Sequence, residues 1–288
     1  MKMWSLFLAL VGIALVLSLL IAARAWRGAK VLFNPARTTV QWPSGQPTPP
    51  GLTDVRFNDG GGQTIRGWYV PSHNGATVIL LHGALGTRMQ VVPEIQILTA
   101  RGFGVLAYDE PGCGESDGRV TFGPTERAAL QAALAWLRRQ ESDGKIGLYG
   151  FSQGAYIAAQ VAPLEADVGA LVLVGSVADF REQTRWDFRR YSILSSQPAL
   201  LARTRAGWIP GDATPLDLIG RFGRPLLIIS GAEDVNVPPD HSARLYAAAA
   251  DPKEWWVIEG AGHGGYAEAA PLEYAPRLAG FYEASLRR

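Results

Sequence analysis

The sequence predicts an α/β fold: a mostly parallel sheet of about eight strands flanked by helices, with a small helical cap and an apolar helix ahead of it. Three observations predict this. Short runs of almost unbroken apolarity recur along the chain, as strands covered on both faces require. Helical patterns alternate with them, and one long interval between two of the runs carries no strand pattern. The apolar runs are TVILLH from Thr77, FGVLAYD from Phe103, KIGLYGF from Lys145, ALVLVG from Ala170, PLLIIS from Pro225 and WWVIEG from Trp255. The helical patterns run from Met89 to Ala100, Thr125 to Arg139, Gln153 to Val161, Asp240 to Ala249 and Leu272 to Ser285. Such alternation implies right-handed crossovers and a sheet held between helical layers. Thr53 to Asn58 and Thr64 to Pro71 are strand-like runs separated by Asp59-Gly60-Gly61-Gly62. That is hairpin turn chemistry, so the two should be antiparallel neighbours. The strandless interval, residues 177–222, contains Trp186, Phe188, Tyr191 and Trp208. A structureless loop of that length is improbable in a compact domain, which makes a helical cap the expectation.

Composition narrows the class of protein. A chain of 288 residues with 48% hydrophobic content can bury a full core as one catalytic domain, expected at residues 52–288. The 27 basic and 26 acidic side chains leave a formal charge of +1, so no bulk field for nucleic acid is present and no nucleic-acid partner is expected. Cys113 is the only cysteine, which excludes a disulfide framework within the chain and a thiolate metal cluster supplied by it alone.

The beginning departs from globular composition. Trp4 to Ala23 carries no charge and is long enough to span a bilayer. Ala23-Arg24-Ala25 fits a small-residue cleavage pattern, but the apolar run exceeds the usual 7 to 15 residues of a secretory signal. Residues 1–28 are therefore expected to form a retained single-pass membrane anchor. The Pro- and Gly-rich Pro43 to Gly51 falls within an expected linker at 29–51. Lys2 precedes the apolar run, while Arg24, Arg27, Lys30 and Arg37 follow it, a distribution that leans towards a cytoplasmic catalytic domain.

Gly150-Phe151-Ser152-Gln153-Gly154 follows one apolar strand and opens a helix. This is the setting of a nucleophile elbow, where glycines relieve crowding around a serine on a sharp turn. The five residues alone are a weak signal, and a glycine-rich turn with a capping serine is the plainer explanation. Placement between strand and helix favours the nucleophile. A serine hydroxyl needs a base, which requires a histidine at the end of another strand. His263, in Gly262-His263-Gly264 after the last strand, meets that need. His82 ends a strand but begins an oxyanion-type loop, His73 sits beside the hairpin and His241 begins a helix.

The histidine needs an acid to fix its tautomer. Asp234 leaves the strand Leu226 to Ser230 between turn residues and stands between serine and histidine in chain order. Glu233 and Asp179 are the alternatives, and any of the three could be an ordinary solvated loop carboxylate. The backbone N–H groups of Ala84 and Gln153 occupy the places expected of oxyanion donors.

His82-Gly83, Asp109-Glu110-Pro111-Gly112-Cys113-Gly114-Glu115-Ser116, the Ser152 turn, Gly231 to Pro238 and Gly262-His263 together resemble the α/β-hydrolase superfamily. The resemblance covers nearly everything from Leu52 onward. Leu32-Phe33-Asn34-Pro35 and Gly67-Trp68-Tyr69-Val70-Pro71, behind an anchor, look like its membrane-anchored, serine aminopeptidase-like branch. The resemblance implies an α/β-hydrolase fold and a carboxylic-ester, thioester or amide hydrolase without metal or organic cofactor. It also implies a structural turn at Asp109 to Ser116. Dehalogenases and epoxide hydrolases of this superfamily place aspartate at position 152, and the serine argues against both. An acyltransferase on the same triad and an inactive membrane-tethered binding protein are the rival readings. The expected partners are a small-molecule acyl substrate, with lipid-derived esters among the candidates, and a membrane through the N-terminal helix. Trp186 and Trp208 either line an apolar acyl site or pack the cap onto the sheet.

Overall fold

A computed structural model describes residues 2–33, 35–141, 144–189, 196–209 and 211–286. Eight strands form one sheet: β1 (Thr53–Asn58), β2 (Thr64–Val70), β3 (Ala76–Leu81), β4 (Gly104–Tyr108), β5 (Lys145–Phe151), β6 (Val168–Val174), β7 (Leu226–Gly231) and β8 (Lys253–Ile258). Their spatial order is β1-β2-β4-β3-β5-β6-β7-β8. The β1–β2 and β2–β4 pairs are antiparallel, and every pair from β4 to β8 is parallel. This is the α/β-hydrolase fold, as expected. Gly67 in β2 is imposed by close approach, because a Cβ there would lie 2.7 Å from the carbonyl oxygen of Ala107 in β4.

The continuous apolarity of the central strands has a direct cause. Val78 and Leu80 of β3 face a layer containing Ile95 and Leu98 of α2 (Val92–Thr99) and Leu278 and Tyr282 of α10 (Tyr274–Leu286). Ile79 and Leu81, on the opposite face, meet Leu130 and Leu134 of α3 (Pro124–Gln140) and Ile157 of α4 (Gln153–Val161). Both faces are covered, so neither side of the alternation can be polar. The helix expected from Met89 begins instead as a 3-10 turn, Arg88–Val91, and becomes α-helical at Val92 with Pro93 in its first turn. Proline lacks the N–H that an earlier start would use there.

Between β6 and β7 the cap consists of α5 (Phe180–Phe188), α6 (Ser196–Ala206), α7 (Pro215–Leu218) and a closing 3-10 turn, with no strand among its described residues. Tyr191 lies outside the described residues. The remaining helices are α8 (Pro239–Ala248), α9 (Tyr266–Ala269) and the N-terminal α1 (Lys2–Phe33). Met3–Gly28 of α1 is long and apolar enough to cross a membrane, a description that a signal sequence also meets. The helix continues to Phe33, into the stretch read as linker. The irregular segment that follows is strapped onto the domain: Trp42 packs on Trp68 with ring centroids 5.3 Å apart, and Val40 is buried with its carbonyl accepting from Arg88 Nη2 at 3.3 Å.

Arg88 organises a buried polar layer beneath that strap. Its guanidinium stacks over Trp68, pairs with Asp109 and donates to Glu115 at 2.6 Å. Asp109 also accepts the backbone N–H groups of Arg88 and Glu115, at 2.8 and 3.0 Å. The Asp109 turn is thus a structural ion-pair centre. Glu110 beside it is different. Burial, reinforced by the nearby carboxylates of Glu126 and Asp109, holds its pKa well above the ordinary carboxyl range.

The folded chain therefore keeps a proton on Glu110 that the unfolded chain releases as pH rises through the ordinary carboxyl range. Stability from this group is complete at acid pH and is lost as pH rises. Glu110→Gln, which removes the titration, should unfold near the wild-type temperature at pH 4 and above it at pH 8. The gain should be roughly 2–4 °C for each kcal/mol relieved. Thermal unfolding across that range checks this, and a gap that does not widen with pH would refute it.

Candidate active site

The turn joining β5 to α4 is built around Ser152, whose φ of 53° and ψ of −111° put a non-glycine residue in left-handed territory. Such a backbone costs about 1–3 kcal/mol and persists only where its surroundings fix it. Its N–H donates to the carbonyl of Val174 at 2.8 Å, tying the turn to the end of β6. The flanking glycines have no room for a side chain. A Cβ at Gly150 would lie 2.4 Å from the Gly154 carbonyl oxygen, and one at Gly154 would lie 2.6 Å from that of Leu81. Gly83 is as constrained, with Phe151 at 2.9 Å from its would-be Cβ. The close fit presses the ends of β3 and β5 together and leaves the Ser152 hydroxyl facing outward.

Asp234 sits in the loop after β7 and is buried. Its Oδ1 accepts the N–H groups of Asn236 and Val237 at 2.9 and 2.8 Å. Its Oδ2 lies 2.7 Å from His263 Nδ1. A carboxylate can only accept, so Nδ1 carries the proton and Nε2 is left to accept from the Ser152 hydroxyl, 2.9 Å away. Gly231 allows the β7 and β8 loops to meet, since a Cβ there would lie 2.2 Å from the Ala261 carbonyl oxygen. The three residues singled out from sequence thus converge where β5, β7 and β8 end.

The alternatives lie elsewhere. Asp179 caps α5, accepting the Arg181 N–H at 2.6 Å, and Glu233 is exposed. Both ring nitrogens of His82 are engaged: Nε2 accepts the Glu110 N–H at 2.9 Å and Nδ1 donates to the Gly83 carbonyl at 2.7 Å. Burial lowers its pKa, consistent with a neutral ring. His241 Nδ1 accepts the Ala178 N–H at 3.2 Å, and His73 is exposed.

A cavity of about 540 Å³ opens over Ser152 and His263, with Ala84 and Gln153 also in its wall. Gln153 is the first residue of α4. Ala84 lies in the Gly83–Gly86 turn, closed by a 3.1 Å backbone hydrogen bond and strained at Leu85, whose φ is 59°. The cap supplies an apolar wall from Phe180, Trp186 and Phe188, and Trp186 Nε1 donates to the Val235 carbonyl at 3.0 Å. Trp208 is buried and does not reach the wall, so of the two tryptophans only Trp186 faces the cavity. Arg203 reaches the cavity from α6, stacked over Phe122 and Phe180, and burial lowers its pKa to about 10.

Three contributors were not anticipated from the sequence. Gly175, with φ of 56°, makes room for the imidazole: a Cβ there would lie 3.1 Å from His263 Cε1. Phe151 packs its ring against the same imidazole, centroids 5.1 Å apart. Gly28 of α1 stands in the cavity wall. Only Gly175 carried a visible signal, a glycine ending an apolar strand.

The arrangement can pass a proton from the Ser152 hydroxyl to the imidazole while a buried carboxylate faces the charge that forms. A family model for the alpha/beta hydrolase fold matches residues 76–216. An uncharacterized protein of Mycobacterium tuberculosis is 29% identical over 250 residues, covering 81% of this chain and 82% of that protein. The polyketide transferase af380 of Aspergillus fumigatus is 31% identical over 141 residues, 46% of this chain and 48% of its own length. Among solved structures, an esterase of Pyrococcus furiosus superposes with a TM-score of 0.72 at 24% identity, covering 88% of this chain and 100% of its own. An acylaminoacyl peptidase of Pyrococcus horikoshii gives 0.62 at 16% identity, covering 82% of this chain and 42% of its own. The family model, over about half of the chain, and the superposed structures agree with the α/β-hydrolase fold described above.

Proposed function

We propose that the chain is a serine hydrolase that cleaves a carboxylic ester, thioester or amide through an acyl-enzyme. Ser152 is the nucleophile, His263 the general base and Asp234 the residue that orients it. The supporting observation is the unbroken hydrogen-bond path from hydroxyl through imidazole to carboxylate at the floor of a cavity. Ser152 Oγ attacks the acyl carbon as its proton moves to His263 Nε2. The tetrahedral intermediate collapses when that proton passes to the leaving group, and water repeats the sequence to release the acid and restore Ser152. The N–H groups of Ala84 and Gln153 are the proposed donors to the oxyanion, each worth about 2.7–4 kcal/mol in the barrier. An alcohol in place of water would make the reaction an acyl transfer, a reading favoured by the fungal relative named a polyketide transferase.

The same reading assigns residues 1–28 to a membrane anchor and 52–288 to the catalytic domain, with its cap at about 177–222. The apolar α1 and the Gly67–Pro71 strand end favour the membrane-anchored, serine aminopeptidase-like branch. Asn34, part of the other motif behind that placement, lies outside the described residues.

Purified full-length protein should react with a fluorophosphonate at Ser152. Ser152→Ala should abolish both labelling and turnover of p-nitrophenyl acetate, a loss of at least about 10³-fold. Residual turnover at the wild-type level would move the nucleophile elsewhere. Asp234→Asn keeps the shape but presents an amide to Nδ1, so kcat should fall by about 10³–10⁴-fold while circular dichroism stays unchanged. A loss under tenfold would show that Asp234 does not set the tautomer.

A further inference from the structure

The N-terminal helix has two different halves. From Met3 to Leu20 its large apolar side chains are exposed, and at 1.5 Å per residue this stretch rises about 27 Å. That nearly matches the ~30 Å hydrocarbon core of a bilayer. From Ile21 onward the helix turns one face onto the cap. Ala25 is fully buried, Trp26 sits 5.4 Å from the Arg205 guanidinium of α6, and Ala22 shares a groove with Pro198 and Leu201. Arg24 and Arg27 remain exposed at this level, where a bilayer places its headgroups. Gly28 then enters the wall of the cavity over Ser152.

A tether needs no contact with the site it carries, whereas this helix forms part of the site's wall. Two apolar side chains of the cavity lining are turned to the outside, Leu85 at 42% and Val235 at 74% exposure, beside the exposed Arg189 and Asn236, and Leu201, in the groove that α1 shares with α6, is 53% exposed. The continuous exposed apolar surface is that of α1 itself, from Met3 to Leu20, and an apolar surface of that extent marks a face that meets another apolar phase. Glycine is a poor helix former, and nothing in the backbone at Gly28 demands it, because its φ is outside the left-handed range. What its missing side chain preserves is space: a Cβ would meet only Phe188, at 3.7 Å, and a longer side chain would crowd the stretch of cavity wall that Gly28 and Phe188 share.

We propose that the bilayer is the reservoir for this site, and that its substrate is an amphiphilic acyl ester dissolved in the membrane. The acyl chain passes between α1 and the cap, by Gly28 and Phe188, to reach Ser152. An acyl chain already in hydrocarbon gains little by entering another apolar cavity, so the site requires an apolar path continuous with the membrane. This rests on the Ser152 hydrolase reading and adds the substrate class and its route.

The test uses the full chain reconstituted in phosphatidylcholine vesicles, with p-nitrophenyl acetate as water-borne ester and p-nitrophenyl palmitate as membrane-borne ester. Gly28→Leu should lower the ratio of palmitate to acetate kcat/KM by about tenfold or more. Gly12→Leu, at an exposed mid-helix position with nothing within 4 Å of its Cβ, should leave that ratio unchanged. In the wild type, adding phosphatidylcholine at constant total palmitate ester should slow its cleavage in proportion to surface dilution. Cleavage of acetate alone, a ratio indifferent to Gly28→Leu in folded protein, or a palmitate rate independent of surface concentration would each overturn the proposal. Failure to cleave either ester, with no fluorophosphonate labelling, would instead bring down the hydrolase reading beneath it.

Discussion

A left-handed serine wedged between a strand end and a helix start sets the spacing of everything around it. The backbone of Ser152 is strained, and its environment leaves it no relaxed alternative: its N–H is held by Val174, while Gly83, Gly150 and Gly154 fill the space where side chains would otherwise force the elements apart. Strain of about 1–3 kcal/mol is small against the burial of the strands that flank the turn, whose apolar side chains are fully enclosed. The geometry brings the hydroxyl to the surface of a cavity and places the N–H of Gln153 at the open end of α4. Both features come from the same tight packing.

Much of this was legible in the sequence for a physical reason. Parallel strands covered on both faces cannot alternate, so their runs stand out, and a turn too crowded for Cβ atoms must display glycine. What stayed hidden depends on contacts between distant segments. Asp179 and Asp234 both leave strand ends among turn residues, and composition does not separate them. The distinction arises because Gly231 lets the β7 and β8 loops touch, which brings Asp234 to His263 and leaves Asp179 to cap α5. Prolines and glycines between α1 and β1 signal irregular backbone, yet the docking of Val40 and Trp42, just ahead of them, onto Arg88 and Trp68 is a tertiary fact with no local mark. The same holds for Trp208, whose apolar ring fits an acyl site and a packed interior equally well until its neighbours are known.

The two aspartates that follow strands β4 and β7 show what separates a structural carboxylate from the one proposed to orient His263. Both oxygens of Asp109 are held by groups of the fold itself, the Arg88 guanidinium and two backbone N–H groups, and the result is a pinned turn. Asp234 has one oxygen held by two N–H groups and the other directed at an imidazole. The histidines divide in the same way. His82 has both nitrogens fixed by backbone groups, so it can neither gain nor pass a proton without breaking the core. His263 has one nitrogen fixed and the other against a hydroxyl that opens onto the cavity. The proposed reactivity follows from which lone pair the fold leaves available, and that is decided by loop contacts rather than by residue type.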